Sequence, residues 1–404
     1  MLNLIKNQYH NFRLNSYWFT LITTSLDKKK NSLYQNFTRS FRIRQLINIV
    51  NITLLFLITT TPILACTRVL WANNGQAILI GRNMDWANPL NTEIWALAKG
   101  LKHNGLTGKN TLNWTSKYAS LVVTVNNSAS HITEPNPKTI NNSSLSATCD
   151  GLNESGLAGH LLWLSESGFG EPSQTKPGLA VSLWLQYILD NYKTVNEVVE
   201  FTKAANFYIK PCTFDSYTAS VHLAIEDKSG DSAIIEYLNG QPVIHHGKKY
   251  TVLTNSPTFD KQLIQLKQYT GFGGTKALPG TTAAADRFVR AAFYLNNLPK
   301  PNNYKESIAE ILSVMRNAAQ PYGTKNVVQP NNSPTRWRTV CDLTNQIIYF
   351  ESSTNPAIIW LKMNEIKFPP GQLALKLNIE SNPEAIGDVT KDLKACQIFT
   401  PIQP

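Results

Sequence analysis

The stretch Cys66-Thr67-Arg68-Val69-Leu70-Trp71-Ala72-Asn73-Asn74-Gly75-Gln76-Ala77-Ile78-Leu79-Ile80-Gly81-Arg82-Asn83-Met84-Asp85-Trp86 holds two apolar runs on either side of Asn74-Gly75. Asn-Gly is a strong hairpin signal, because a two-residue turn needs positive φ at its centre. Thr67–Leu70 and Ala77–Arg82 are therefore expected to be paired strands. The returning strand brings a cation, Arg82, and a carboxylate, Asp85, back beside the thiol of Cys66. A flat strand sends residues three apart to opposite faces. The two are thus expected to converge on the cysteine only if the strand ends or bulges after Arg82.

What precedes Cys66 is a different kind of sequence. Residues 1–65 carry Lys6, Arg13, Lys28, Lys29, Lys30, Arg39, Arg42 and Arg44 against Asp27 alone. Seven of the formal +11 charges therefore lie there and four lie beyond. After Arg44 comes the uncharged LINIVNITLLFLITTTPILA, Leu46 to Ala65. A positive flank, a short apolar run and a small final residue describe a secretory signal peptide. A spanning helix needs about 20 strongly apolar residues, and Asn48, Asn51 and several threonines dilute this run. The expectation is a leader over 1–65 that is removed, a mature chain over 66–404 forming one domain, a periplasmic or secreted destination and no stable membrane anchor. The basic region is long for a signal, and no methionine falls between Met1 and Met84, so the start codon stays open. A signal that ends before cysteine also fits a lipid-modified protein, although Leu64 is bulkier than such signals usually carry.

Composition narrows the classes. Hydrophobic residues at 42% and aromatics at 10% exclude a disordered chain. Five cysteines in 404 residues exclude a disulfide scaffold. With most of the positive charge in the leader, the remaining four charges give no support for a nucleic-acid partner.

Further strands are expected at Glu93–Ala98, Tyr118–Val125, Leu157–Leu162, Ala219–Ile225, Ser232–Tyr237, Tyr250–Thr254, Ile347–Glu351 and Ala357–Lys362. Helices fit Leu179–Asn191, Val195–Ala204 with Thr194 as N-cap, Asp260–Tyr269, Ala284–Leu295 and Tyr304–Ala318. Residues 126–146, rich in Asn, Ser, Thr and Pro, read as a loop, as does Gly271–Thr282. Strand runs separated by helix pairs point to an α+β fold rather than a regular β-α alternation.

If cleavage leaves Cys66 as the first residue, its thiol and its own α-amine share one residue. An α-amine has a pKa of about 7.7–8.0, so near neutral pH it can take the thiol proton. This is the N-terminal nucleophile device. It needs a carboxylate to orient the amine and a cation near the sulfur, and Asp85 and Arg82 are the candidates.

Cys66, Arg82 and Asp85 at this spacing resemble the penicillin V acylase and bile salt hydrolase (choloylglycine hydrolase) family. Asp150-Gly151-Leu152-Asn153-Glu154-Ser155-Gly156-Leu157, Thr254-Asn255-Ser256-Pro257, and Leu278-Pro279-Gly280 followed by Arg287-Phe288 are similar to its later motifs. The matches run in order from Cys66 to about Phe350. The resemblance implies a four-layer α/β/β/α sandwich, hydrolysis of a linear amide through a Cys66 thioester, no metal or organic cofactor, and a homo-oligomer, dimer or tetramer. It implies that Asp85 holds the amine and that Arg82 and Arg287 supply positive charge. It also implies that the Asn255 side chain and the Trp163 backbone N–H receive the oxyanion. With Trp86 beside Asp85 and Trp163 nearby, the pocket reads as aromatic. That favours a flat aromatic or long acyl group, as in penicillin V or acyl-homoserine lactones, over a bile salt. The partner is then a small N-acyl amide.

Bland readings stand beside these. Arg82 and Asp85 could be a surface ion pair, Asn153 and Asn255 turn residues, and Trp86 and Trp163 core aromatics. His160, His222, His245 and His246 have no metal or triad spacing and read as structural. Cys149, Cys212, Cys341 and Cys396 could be two disulfides or four thiols, and the sequence leaves both open. The competing functional classes are bile salt specificity on the same fold, a lipid-anchored binding protein with Cys66 blocked, and an amidase acting on lipid amides.

Overall fold

The computed structural model describes residues 65–126, 145–214, 217–322, 333–379 and 383–404. The signal-peptide reading of the leader, and most of the loop expected at 126–146, lie outside them.

The strands that matter are β1 (Ala65–Trp71), β2 (Leu79–Asp85), β3 (Glu93–Leu97), β4 (Ser120–Asn126), β5 (Leu145–Asn153), β6 (Leu157–Trp163), β7 (Val221–Asp227), β8 (Ser232–Leu238), β9 (Gln241–His246), β10 (Val252–Leu253), β11 (Thr335–Asp342), β12 (Ile347–Ser352), β13 (Ile358–Lys362) and β14 (Ala374–Asn378). The helices are α1 (Trp184–Asn191), α2 (Val195–Ala204), α3 (Phe259–Leu266), α4 (Ala284–Asn296) and α5 (Tyr304–Asn317). One sheet runs β10-β1-β2-β11-β12-β13 and ends on the short strand Gly387–Asp388. The other runs β9-β8-β7-β6-β5-β4-β3-β14, with Lys394–Ala395 at its edge. Helices α4 and α5 pack on β1 and β2, while α1 and α2 pack on strands of the second sheet. The result is the four-layer α/β/β/α sandwich of an α+β fold, with two sheets face to face between helices.

Period-two alternation along β1 and β2 positions the site. Gly81, Asn83 and Asp85 face the helices. A Cβ on Gly81 would come 2.6 Å from Cγ of Met315 in α5, so glycine lets the helix lie close. Asn83 Nδ2 donates to the Met315 carbonyl at 2.7 Å. Arg82 and Met84 face the second sheet instead, as do Cys66 and Arg68 opposite them in the register.

Three local expectations are corrected. Asn74-Gly75 is not a two-residue turn: the ladder closes at Trp71↔Leu79, and residues 72–78 form the connection. The Asn74 side chain holds it by donating to the carbonyls of Trp71 and Ala77 at 2.8 and 2.7 Å. Strand β2 neither ends nor bulges after Arg82. It is paired on both sides through Asp85, and the irregularity sits in β11 between Thr335 and Trp337. The helix expected from Leu179 begins at Trp184, because Gly178–Ala180 pairs as a strand with Tyr208–Lys210. The remaining helices lie within a few residues of expectation, and Thr194 caps α2 by accepting the N–H of Glu197. Strands β5, β9, β11 and β14 had no counterpart in the sequence reading.

Candidate active site

Cys66 is buried near the start of β1 and is approached from both faces of the sheet. On the sheet-facing side, its Sγ lies 3.9 Å from Arg82 Nη2 and 3.8 Å from Met84 Sδ. Arg82 is buried and fixed from several directions. Nη2 donates to the Leu161 carbonyl at 2.6 Å, Nη1 pairs with Asp150 Oδ2 at 3.3 Å, and the guanidinium lies 5.0 Å over the Trp337 ring. Burial alone would lower its pKa, but Cys149, Cys66 and Asp150 more than reverse that, so it stays charged.

On the helix side lies a second group of polar residues. The N–H of Cys66 donates to Asn255 Oδ1, and its carbonyl accepts Arg287 Nη1 at 2.6 Å. Arg287, from the first turn of α4, also reaches Thr67 Oγ1 at 2.6 Å, Asn255 Oδ1 at 3.0 Å and Asp85 at 3.7 Å. Asp85 accepts from Thr335 Oγ1 at 2.5 Å and Gln320 Nε2 at 3.2 Å. Burial pushes its carboxyl up, and Arg287, Thr335 and Gln320 oppose that.

Asn255 is held by its motif. Gln262 in α3 donates to the carbonyls of Asn255 and Pro257, and the single Thr254 Oγ1 proton lies within reach of both Gln262 Oε1 at 2.9 Å and the Ala284 carbonyl at 3.0 Å. The Asn255 Nδ2 donates to the Trp163 carbonyl at 2.8 Å. One amide N–H is thereby used, and an amide nitrogen carries two.

The thiol opens on a cavity of about 80 Å³. Leu90, Val125, Leu161, Phe214, Val221 and Ile402 give it mostly apolar walls. Trp86 and Trp163 line it edge to face with ring centroids 5.7 Å apart, and Phe214 stands 5.1 Å from Trp86. All five cysteines are free thiols, which answers the disulfide question. Cys149 and Cys212 also line the cavity, and burial pushes them up to about 12 and about 11. Burial raises the Cys66 thiol too, but Arg82 is the strongest influence lowering it, followed by its hydrogen bond from the Asp85 backbone and by Arg287.

Behind Arg82 runs a buried charged row absent from the sequence reading. Asp150 pairs with Arg82, His160 lies 3.3 Å from Asp150 and 3.2 Å from Glu226, and Glu226 pairs with Arg68. Thr339 Oγ1 donates to Asp150 at 2.9 Å. His160 is therefore enclosed between two carboxylates, and burial lowers its pKa. His222 sits apart, against Glu236 and the Thr254 carbonyl.

The structure thus gathers Cys66, Arg82, Asp85, Asn255, Arg287, Trp86 and Trp163 around one sulfur and its backbone. Arg82 and Asp85 are not the surface ion pair of the bland reading. Both are buried, and each has a different partner. Trp163 meets Asn255 through its carbonyl. Sequence reasoning missed Asp150, Thr335, Gln320 and Ile402. Of these, only Asp150 carried a signal, as the first residue of the Asp-Gly-Leu-Asn motif.

Comparison with known proteins places the chain in a family. Residues 66–376 match the family of linear amide C–N hydrolases, choloylglycine hydrolase family. Penicillin V acylase of Pectobacterium atrosepticum is 39% identical over 358 residues, covering 83% of this chain and 92% of that protein. Bile salt hydrolase/transferase of Clostridium perfringens is 27% identical, covering 74% and 93%. The structure of penicillin V acylase from Agrobacterium tumefaciens superposes with a TM-score of 0.71 at 39% identity, over 84% of this chain and 100% of that one. The chain therefore belongs to the choloylglycine hydrolase family and is a hydrolase of linear amide C–N bonds.

Proposed function

We propose that the protein is an exported hydrolase of N-acyl amides with an aromatic or long acyl group, such as penicillin V or acyl-homoserine lactones, and that Cys66 is its N-terminal nucleophile. The observation that carries this is the position of one residue. The Cys66 sulfur faces an apolar cavity beside Arg82, while its nitrogen meets Asn255, whose Nδ2 reaches Trp163 in the wall of that cavity. Removal of residues 1–65 turns that nitrogen into an α-amine, and the family match begins at residue 66.

The chemistry then runs in two halves. The amine takes the thiol proton, and the thiolate attacks the amide carbon. The remaining Asn255 Nδ2 proton and the Trp163 backbone N–H receive the oxyanion, each donor worth about 3–4 kcal/mol. The C–N bond breaks, the leaving amine takes the proton, and a thioester remains. Water, deprotonated by the same α-amine, releases the acid and restores the thiol. Asp85, through Arg287 and Thr335, keeps the helix-side groups in place, and Arg82 favours the thiolate.

Intact mass and N-terminal sequencing of the exported protein test the first half of this reading. A chain starting at unmodified Cys66 supports it, and a diacylglyceryl mass or an intact Ala65–Cys66 bond sinks it. A Cys66→Ala variant that keeps activity refutes the nucleophile. Ranking penicillin V, long-chain acyl-homoserine lactones and conjugated bile salts tests the substrate class, and bile salts in first place would overturn it. Light scattering on the purified enzyme tests the homo-oligomer that the resemblance implies.

A further inference from the structure

We propose that Ile402 closes the far end of the acyl pocket and sets the length of acyl group the enzyme accepts. The residue lies beyond position 376, where the family match ends, yet its side chain lines the same cavity as Cys66. The segment that carries it is built in. Thr400 and Pro401 pair in parallel with Leu145 and Ser146 of β5. The Ile402 N–H donates to the Ser146 carbonyl at 3.0 Å, and its carbonyl accepts Ser182 Oγ at 2.7 Å. Phe399 packs edge to face on Trp95 at 5.2 Å, and Ile402 is only 2% exposed.

Strand β5 supplies the ruler. Cys149 Sγ lies 3.7 Å from Arg82 Nη1, at the thiol end of the cavity. Ala147 and Thr148 continue the lining away from it, and the strand then reaches Ser146, where the Pro401 segment attaches. Three residues of strand span about 10 Å. An acyl chain whose carbonyl carbon bonds to Sγ and which runs along β5 therefore meets Ile402 after about that distance. Val181 and Ser182 flank the meeting point. A branched side chain fixed in position at the end of an apolar slot limits length by steric contact, since a packed wall does not yield to an extra methylene.

The proposal rests on the N-acyl amide reading, and its test separates the two. Amides of one amine with acyl chains of increasing length are compared in the parent enzyme and in Ile402→Ala and Ile402→Phe. Ile402→Ala is expected to move the optimum to longer chains and raise the long-to-short ratio of kcat/KM about 10-fold or more, and Ile402→Phe to do the reverse. Ile386→Ala, at a position 74% exposed, is the control and keeps the parent profile. If Ile402→Ala fails to fold, Phe399→Ala loosens the same segment from outside the cavity and should broaden the profile toward longer chains. Binding of the free carboxylic acids to Cys66→Ala, with and without Ile402→Ala, reads the pocket without turnover. The length shift in binding is thus measurable even if no amide is cleaved, in which case the functional reading falls and this one stands. An unchanged length profile in both the kinetics and the binding overturns it.

Discussion

Asn255 accepts the backbone N–H of Cys66, and the same Oδ1 accepts Arg287 Nη2 at 3.0 Å. One carboxamide, 189 residues along the chain, thus ties the nitrogen of the candidate nucleophile to a buried cation. Its oxygen and its nitrogen carry different expectations. Asn255→Ala removes both, and Asn255→Asp keeps the oxygen acceptor while losing the N–H donors. Both variants should lower kcat by about 10²–10³, the cost of one oxyanion donor. Asn255→Asp should show the smaller loss of thermal stability, because Arg287 keeps a partner. Steady-state kinetics and thermal melts check the pair.

Arg82 is the strongest influence holding the Cys66 thiol down against burial. Removing it leaves burial less opposed, so the thiol pKa rises and less thiolate is present at a given pH. Because the thiolate is the reactive form, Arg82→Met should slow alkylation by iodoacetamide at pH 7 by about 10-fold or more. The midpoint of its pH profile should move up. A profile that stays in place or moves down contradicts the assignment.

The row Arg82–Asp150–His160–Glu226–Arg68 is buried throughout, so breaking it from one end leaves a charge without its partner. Arg68→Met should destabilise by about 3–5 kcal/mol. The double variant Arg68→Met/Glu226→Gln should recover part of that, because the stranded carboxylate is gone. Urea denaturation of the single and double variants measures the coupling.

Gly151 sits between Asp150 and the β5–β6 turn with φ +156, and a Cβ there would lie 2.5 Å from the Leu121 carbonyl oxygen. The obstacle is backbone of the paired strand, which cannot swing aside as a side chain does. Gly151→Ala should cost about 1–3 kcal/mol. It should also weaken activity by shifting Asp150 under Arg82, so a variant as stable and active as the parent refutes the account.

Much of the candidate site was legible because it is written in short segments. Cys66 with Arg82 and Asp85, the Thr254-Asn255-Ser256-Pro257 run and Arg287 each carry a recognisable residue type at a recognisable spacing. The α4 and α5 helices followed from their apolar periodicity. Strand β11 was not legible, because its faces mix Thr335, Arg338, Thr339 and Asp342 with Trp337, Val340 and Cys341. Those polar residues serve partners elsewhere: Thr335 meets Asp85, 250 residues away, and Thr339 meets Asp150, 189 residues away.

By itself, then, the sequence determined the family, the fold class and which residues deserve testing. Those properties follow from residue type and local spacing, which the chain carries before it folds. Only the tertiary structure decided that Arg82 and Asp85 act on opposite faces of β2, that Asp150 and not Asp85 partners Arg82, and that Ile402 reaches the cavity of Cys66. Strand alternation fixes a face, but which group waits across that face is set by sheet packing between residues far apart in sequence. Packing of that kind leaves no local pattern to read.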